Sequence, residues 1–398
     1  MEKETKKVSN PVAAELETLL DSGLSTRELI ARFFELLMLR QRDNFLKENE
    51  QDTGNGYRDR KMVINGSNSI ISVPRTRDSA FRPSALPEPW KRMPQEMEQL
   101  ILSCLASGIN KSKVGQAMSQ MGLSVSDDVV SDFEATYLEF FKQTNTKPLA
   151  ENMFIVVADC KQLEILHDGK VQMATIYSAC GIDTQFRKHI LGCETTFEPE
   201  NQRNWRRFLS LLVNRGLKRV LIFITDAFSG ITEITSGLYA GSDHQLCIVH
   251  LQRNKQKHLS KQDCREFKEL IDEIKRSADF ESAKSKLLQL CQKFEDKAPD
   301  FVKHIQKHAD NYVAFAKYPR DVRKHIYSSN MIEGINNVME LKRKDIGGHF
   351  RSVEHFQINF AVIVKNLNQG RWKKIHFKLK EFEYEFCQLF AVKFGVRL

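Results

Sequence analysis

Between Asn152 and Val249 the apolar residues first alternate at the two-residue period of strands, and then strand-length runs interleave with helical ones. That order limits the chain to few architectures. Met153 to Ala158, Val171 to Cys180 and Lys188 to Cys193 read as three strands in succession, the first two joined at an Asp168-Gly169 turn, so antiparallel pairing is the economical arrangement. A helical pattern from Asn201 to Val213 ends at Gly216. The apolar, β-branched run Val220 to Thr225 then has the length of a buried strand. A short helix, Thr232 to Leu238, leads to a last strand, Gln245 to Val249. The order βββαβαβ predicts an α/β fold: a mixed sheet with helices on its faces, the layout of a ribonuclease H-like core.

Helices are expected on either side of this block. Leu16, Leu19 and Leu20, then Leu29, Ile30, Phe33, Phe34 and Leu37, recur at helical spacing, with Ser25 placed to cap the second run. Lys61 to Ile64 and Ser69 to Val73 flank an Asn65-Gly66 turn signal and read as a hairpin before a Pro-rich linker. Three short helical patterns between 94 and 148, with a turn at Gly122-Leu123-Ser124, resemble a helix-turn-helix. Asp127, Asp128 and Asp132 would meet phosphates unfavourably, so a plain helical bundle stays open beside a DNA-reading one. Residues 251–328 are helical, Lys-rich and free of strand signals. The expected organisation is a helical region 1–56, a hairpin and linker 57–93, a helix-turn-helix-like DNA-binding domain 94–148, a catalytic core 149–250, a helical insertion 251–328, and returning core helices 329–398.

Charge narrows the partner. Residues 1–250 hold 30 Lys and Arg against 32 Asp and Glu, a net −2, whereas 251–398 hold 30 against 19, a net +11. Basicity gathered in one part of a chain points to a polyanion such as DNA or RNA, against the plainer reading of a solvated helical surface. No run approaches the roughly 18 apolar residues of a membrane span, and the first seven residues carry five charges, so a cytoplasmic, nucleoid-associated protein is expected. Eight cysteines without a regular framework fit reduced thiols.

Two acids follow the strongest strand patterns. Asp159 follows Phe154 to Ala158 and Asp226 follows Val220 to Thr225. Carboxylates at the ends of neighbouring parallel strands reach one divalent ion at the rim of a sheet, although Asp also ends strands simply because it begins turns well. Glu333 lies on a helical pattern with Asn330 and Asn337 on one polar face. Three such acids would hold two metal ions about 4 Å apart, the arrangement used in phosphoryl transfer, and hard oxygen donors select Mg²⁺, with Mn²⁺ as substitute.

With these residues in view, the sequence resembles the mutator-type transposases of prokaryotic insertion sequences, the DDE group related to eukaryotic Mutator-like elements. The likeness runs from Tyr57 to about Trp372. It rests on Gly56-Tyr57-Arg58, Val73-Pro74-Arg75-Thr76-Arg77, Asp159, the helix with Trp205, Asn214-Arg215-Gly216, Asp226, Gln245 to His250 with Arg253-Asn254, and Ser329 to Asn336. The resemblance implies that Asp159, Asp226 and Glu333 are the catalytic, metal-binding triad. It implies that the 107 positions from Asp226 to Glu333 contain the family's helical insertion, and that the chain binds terminal inverted repeats and target DNA, as a homodimer. Cys160 stands where the family often has Ala, and Ala227 where it often has Gly; both are small.

Several residues carry two readings. Cys247 and His250 are spaced as zinc ligands, with His258 and Cys264 as irregular candidates for the remaining positions; the resemblance instead puts His250 and Arg253 near DNA at the cleavage site. Trp205 is either the core residue of an amphipathic helix or a surface on which an unpaired base stacks, with Arg206 and Arg207 holding phosphates. Lys342, Arg343 and Lys344 read as phosphate contacts. The leading function is metal-dependent DNA cleavage and strand transfer; a non-catalytic, domesticated DNA-binding derivative is the alternative, against which three intact acids argue.

Overall fold

The computed structural model describes residues 23–64, 67–86, 95–120 and 125–398. The first helical run at Leu16 to Leu20, the Asn65-Gly66 turn, the end of the linker and the Gly122-Leu123-Ser124 turn lie outside the described residues. Close packing divides the chain into two units, Met1–Thr136 and Tyr137–Leu398.

In the first unit, helix α1 (Thr26–Glu48) opens with a capping box, in which Ser25 and Glu28 satisfy each other's backbone donors. It packs on a hairpin of β1 (Gly54–Ile64) and β2 (Ser67–Thr76) through Met38, Met62, Ile71 and Val73. Helices α2 (Gln95–Ala106), α3 (Lys111–Gln120) and α4 (Asp127–Thr146) bury Ile101, Leu105, Val114, Met118, Val129 and Val130 against one another.

The second unit is built on a five-stranded sheet of order β5-β4-β3-β6-β7. Strands β3 (Asn152–His167), β4 (Lys170–Asp183) and β5 (Lys188–Thr196) are antiparallel neighbours. Asp168 and Gly169, with φ of 49° and 74°, form the tight turn that joins the first two. Strands β6 (Arg219–Thr225) and β7 (Asp243–Leu246) run parallel to β3. The three antiparallel strands followed by two parallel crossovers match the order expected from the hydrophobic pattern.

The parallel strands need crossover helices. Helix α5 (Gln202–Asn214) starts where the Asn201 side chain accepts the Asn204 N–H, and it buries Trp205, Phe208, Leu209 and Leu212 at spacings of three and four. Helix α6 (Ile231–Leu238) carries the chain from β6 to β7. After α7 (Ile248–Asn254) come α8 (Lys261–Lys275), α9 (Phe280–Phe294) and α10 (Pro299–Lys307), which fall within the Lys-rich block. The chain then returns through α11 (Asn330–Asp345), which packs on β3 and β4, α12 (Val353–Gln369) and α13 (Glu383–Phe394).

Candidate active site

Two strand ends differ from the sequence expectation, and both differences shape the site. β3 does not stop at Asp159: it runs on to His167, with Asp159 opposite Ser178 of β4. The antiparallel partner continues, so β3 needs no help from β6, which stops at Thr225. Val157 pairs with Ile224, so two residues further on Asp159 and Asp226 stand level, one in mid-strand and the other just past the end of its neighbour. The expected strand Gln245 to Val249 is also shorter. β7 ends at Leu246, the Cys247 N–H bonds to Thr225 O at 2.8 Å, and Ile248 begins α7. The apolar run looked like strand because Ile248 and Leu251 are buried by a helix instead. His250 therefore sits one turn into α7, and its Nδ1 meets Asp226 Oδ1.

Burial and like charge set the electrostatics. Asp159 is 6% exposed. Loss of hydration, then the neighbouring Asp226 carboxylate, push its acid up to about 7 against the opposing pull of His250, the Cys160 N–H and Asn336. The Asn336 amide donates to Asp159 Oδ2 at 2.7 Å. His250 would be lowered by burial alone, but its contacts with Asp226 and Cys247 outweigh that and raise it to about 10.

Glu333 reaches this pair through α7. The Ser329 hydroxyl lies 3.2 Å from Cys247 Sγ and donates to Glu333 Oε1 at 2.9 Å, while the Ile248 N–H bonds to Tyr327 O at 3.0 Å. Arg253 Nη2 donates to Glu333 Oε2 at 3.0 Å, and His250 Nε2 stands 3.8 Å from Oε1. Cys247 and His250, one turn apart, thus hold the segment bearing Glu333 and the carboxylate of Asp226 respectively. Their ligand atoms and that of Asp226 lie within 4.8 Å of one another. The other two zinc candidates point elsewhere: the His258 ring stacks on Phe301, and Cys264 Sγ faces the carbonyls of Lys255 and Leu259. A four-ligand structural zinc site is not assembled from this set.

Asp159, Asp226 and His250 open into one cavity of about 460 Å³. The sequence profile described as "Transposase, Mutator family" matches residues 2–374. The chain belongs to the Mutator family of transposases. It is 26% identical over 342 residues to the transposase for insertion sequence element ISRM3 of Rhizobium meliloti, covering 84% of each chain. It is 26% identical over 297 residues to that of IS905 of Lactococcus lactis, 74% of each. To the transposase of IS256 in transposon Tn4001 of Staphylococcus aureus it is 23% identical over 346 residues, 83% of this chain and 88% of the relative.

In this transposase the remaining expected residues divide. Trp205 borders the same cavity but is only 2% exposed: it meets Tyr177 edge to face at 5.0 Å and donates Nε1–H to Glu200 Oε1 at 2.8 Å. The amphipathic period of α5 places it in the core. Arg206 and Arg207 beside it are exposed, Arg207 within 3.5 Å of Glu194. Arg343 is committed internally, to Glu164 at 3.0 Å, Glu340 at 2.7 Å and the Gly348 carbonyl, so it is not free for a phosphate. Lys344 lies 3.6 Å from Glu340 and is largely exposed, and Lys342 is partly exposed.

Sequence reasoning missed two groups. Asn336, rather than Asn337, accompanies Glu333 to the aspartates, because position 336 is buried on β3 while 337 faces out. Glu200 also lines the cavity, with its acid raised by burial and by Asp226 against the Trp205 hydrogen bond. No spacing signal marked it, since it precedes α5 in an irregular turn. From the Lys-rich block, His258, Asp300 and His304 line the cavity as well. Among the described residues no helix is long and apolar enough to cross a membrane.

Proposed function

We propose that this transposase is of the DDE type, with a ribonuclease H-like core, and that Asp159, Asp226 and Glu333 hold two Mg²⁺ ions at the mouth of the cavity. The observation that carries the reading is the convergence of Asp159 and Asp226, level on adjacent strands, with Glu333 joined to Asp226 through His250. The donor set fits a hard cation: all three are carboxylates, and burial, with the neighbouring Asp226 carboxylate adding to it, raises the Asp159 acid to about 7, so a cation beside the pair would favour the ionised form. When bound, the ions would supply charge for a nucleophilic oxygen and for the developing charge on phosphorus.

The chain's own residues do the rest. Asn336 fixes the rotamer of Asp159, Ser329 and Cys247 fix Glu333, and His250 with Arg253 offsets carboxylate charge. At a transposon end, water adds to phosphorus as the bond to the 3′-oxygen breaks, leaving a 3′-hydroxyl and a 5′-phosphate. That hydroxyl then adds to a phosphorus of the target strand and releases the target's own 3′-oxygen. Both steps place an oxygen nucleophile in line with phosphorus, so one site serves both. The helices of 94–148 would bind the terminal inverted repeats, residues 251–328 would form the insertion that roofs the cavity, and the active species would be a homodimer on DNA.

Cleavage of an end-labelled terminal repeat in Mg²⁺ or Mn²⁺ tests this. Asp159→Asn, Asp226→Asn and Glu333→Gln should each abolish cutting and joining while duplex binding persists; near-normal cutting by any of them removes that residue from the site.

A further inference from the structure

A second cavity, of about 280 Å³, lies against the strand face of β3 that carries Asp159: Ile155 and Val157 line it, and residues two apart on a strand share a face. Asn330 and Gly334 of α11 form another wall, so the helix bearing Glu333 borders it. Beside apolar residues such as Ile182 and Trp372, its lining holds basic residues from three distant stretches: Lys188 at the start of β5, Lys324 and His325 before α11, and Arg371 and His376 after α12.

No anion answers these charges. Among the described residues, no carboxylate makes an ion pair with Lys188, Lys324 or Arg371, whereas Arg253 pairs with Glu333 and Arg343 with Glu164. His325 Nε2 and His376 Nδ1 are buried without a hydrogen-bond partner, and their rings meet edge to face at 4.8 Å. Burial and the surrounding cations hold His325 down to about 4, and burial with Lys188 lowers His376. Lys188 is itself lowered, by burial and by Arg371. Lys324 and Arg371 are exposed and Lys188 is half-buried, so the cations stand around the mouth of a concavity whose wall carries two unsatisfied ring nitrogens, the arrangement that an oxyanion with several acceptor oxygens completes.

Val157 and Ile155 are two and four residues from Asp159, or roughly 7–13 Å along the strand. We propose that this cavity holds a backbone phosphate of the DNA strand that is cut at Asp159 and Asp226, within a few nucleotides of the scissile bond. The proposal rests on the DDE reading for the position of that bond, but binding at the cavity is measurable without cleavage.

The test compares the full-length protein with Lys324→Ala/Arg371→Ala in EDTA, so that binding alone is read. Anisotropy titrations use a fluorescent duplex of arbitrary sequence across a salt series, and thermal melts use inorganic phosphate as probe. The double variant should bind duplex about tenfold more weakly. Its plot of log affinity against log salt should flatten by about 0.9 for each phosphate that is no longer neutralised. Phosphate should raise the melting temperature of the parent and not of the variant, whose own melting temperature should not fall, since like charges have been removed. Unchanged duplex affinity and salt slope overturn the proposal, including the case in which the phosphate response alone disappears, because the cavity is then an anion site off the DNA path. If the double variant fails to fold, Lys324→Ala at the exposed mouth carries the same comparison, and Lys324→Arg should restore binding. Failure of the DDE reading would appear separately, as cutting that survives the carboxylate substitutions.

Discussion

His244 gives a quantitative check on how the end of β6, and with it Asp226, is held. Its ring is buried between two hydroxyls, with Nε2 2.8 Å from Thr225 Oγ1 and Nδ1 2.8 Å from Thr235 Oγ1, so it clamps the last residue of β6 to α6. Burial, aided by His308, lowers it to about 3, against an ordinary value of 6.5. The folded state therefore keeps the ring neutral where the unfolded chain takes up a proton. Stability from this group is fully present above pH 6.5 and is lost as pH falls from there towards 3. Between pH 7.5 and 5.5 the unfolded ring becomes almost fully charged and the folded ring does not, which makes the loss about 1.4 kcal/mol. His244→Gln keeps a polar side chain in the gap and removes the titration. Guanidinium unfolding of both proteins at the two pH values should show the parent losing about 1.4 kcal/mol more than the variant. An equal loss in both would mean that the ring is protonated in the folded state, and the clamp as described would be wrong.

Two other substitutions separate positioning from packing. Cys247→Ala removes the sulfur beside Ser329, so Glu333 should lose its alignment and DNA cutting should fall by about tenfold or more with duplex binding unchanged, while Cys247→Ser retains most of it; loss of binding instead of cutting would refute the positioning role. Trp205→Ala should destabilise the protein by about 3–5 kcal/mol through the cavity left in the core, read by denaturant unfolding, with Trp205→Phe much milder. A stable Trp205→Ala protein that binds DNA poorly would restore the stacking role.

The period of the apolar residues was enough to order the strands from Asn152 to Leu246, because a half-buried or fully buried strand must carry its hydrophobic residues in that pattern whatever surrounds it. It also singled out both aspartates and Glu333 as candidates, since acids following strand patterns or facing one side of a helix are local features, although Asp159 lies in mid-strand and not at a strand end. Several features depended on neighbours that no local window contains. β3 continues past Asp159 because β4 pairs with it, and β7 stops at Leu246 because, after the last ladder bond from Cys247 to Thr225, Ile248 begins a helix whose apolar side chains are buried. Trp205 is buried because Tyr177 and Glu200 receive it, and Arg343 is spent on Glu164 and Glu340. The basic cavity needs Lys188, Lys324 and Arg371, whose separation along the chain gives no signal until the sheet and its returning helices bring them together. Secondary structure follows from residue pattern over a few turns, whereas the electrostatics of a site follow from which charges and hydrogen-bond partners long-range packing leaves beside one another.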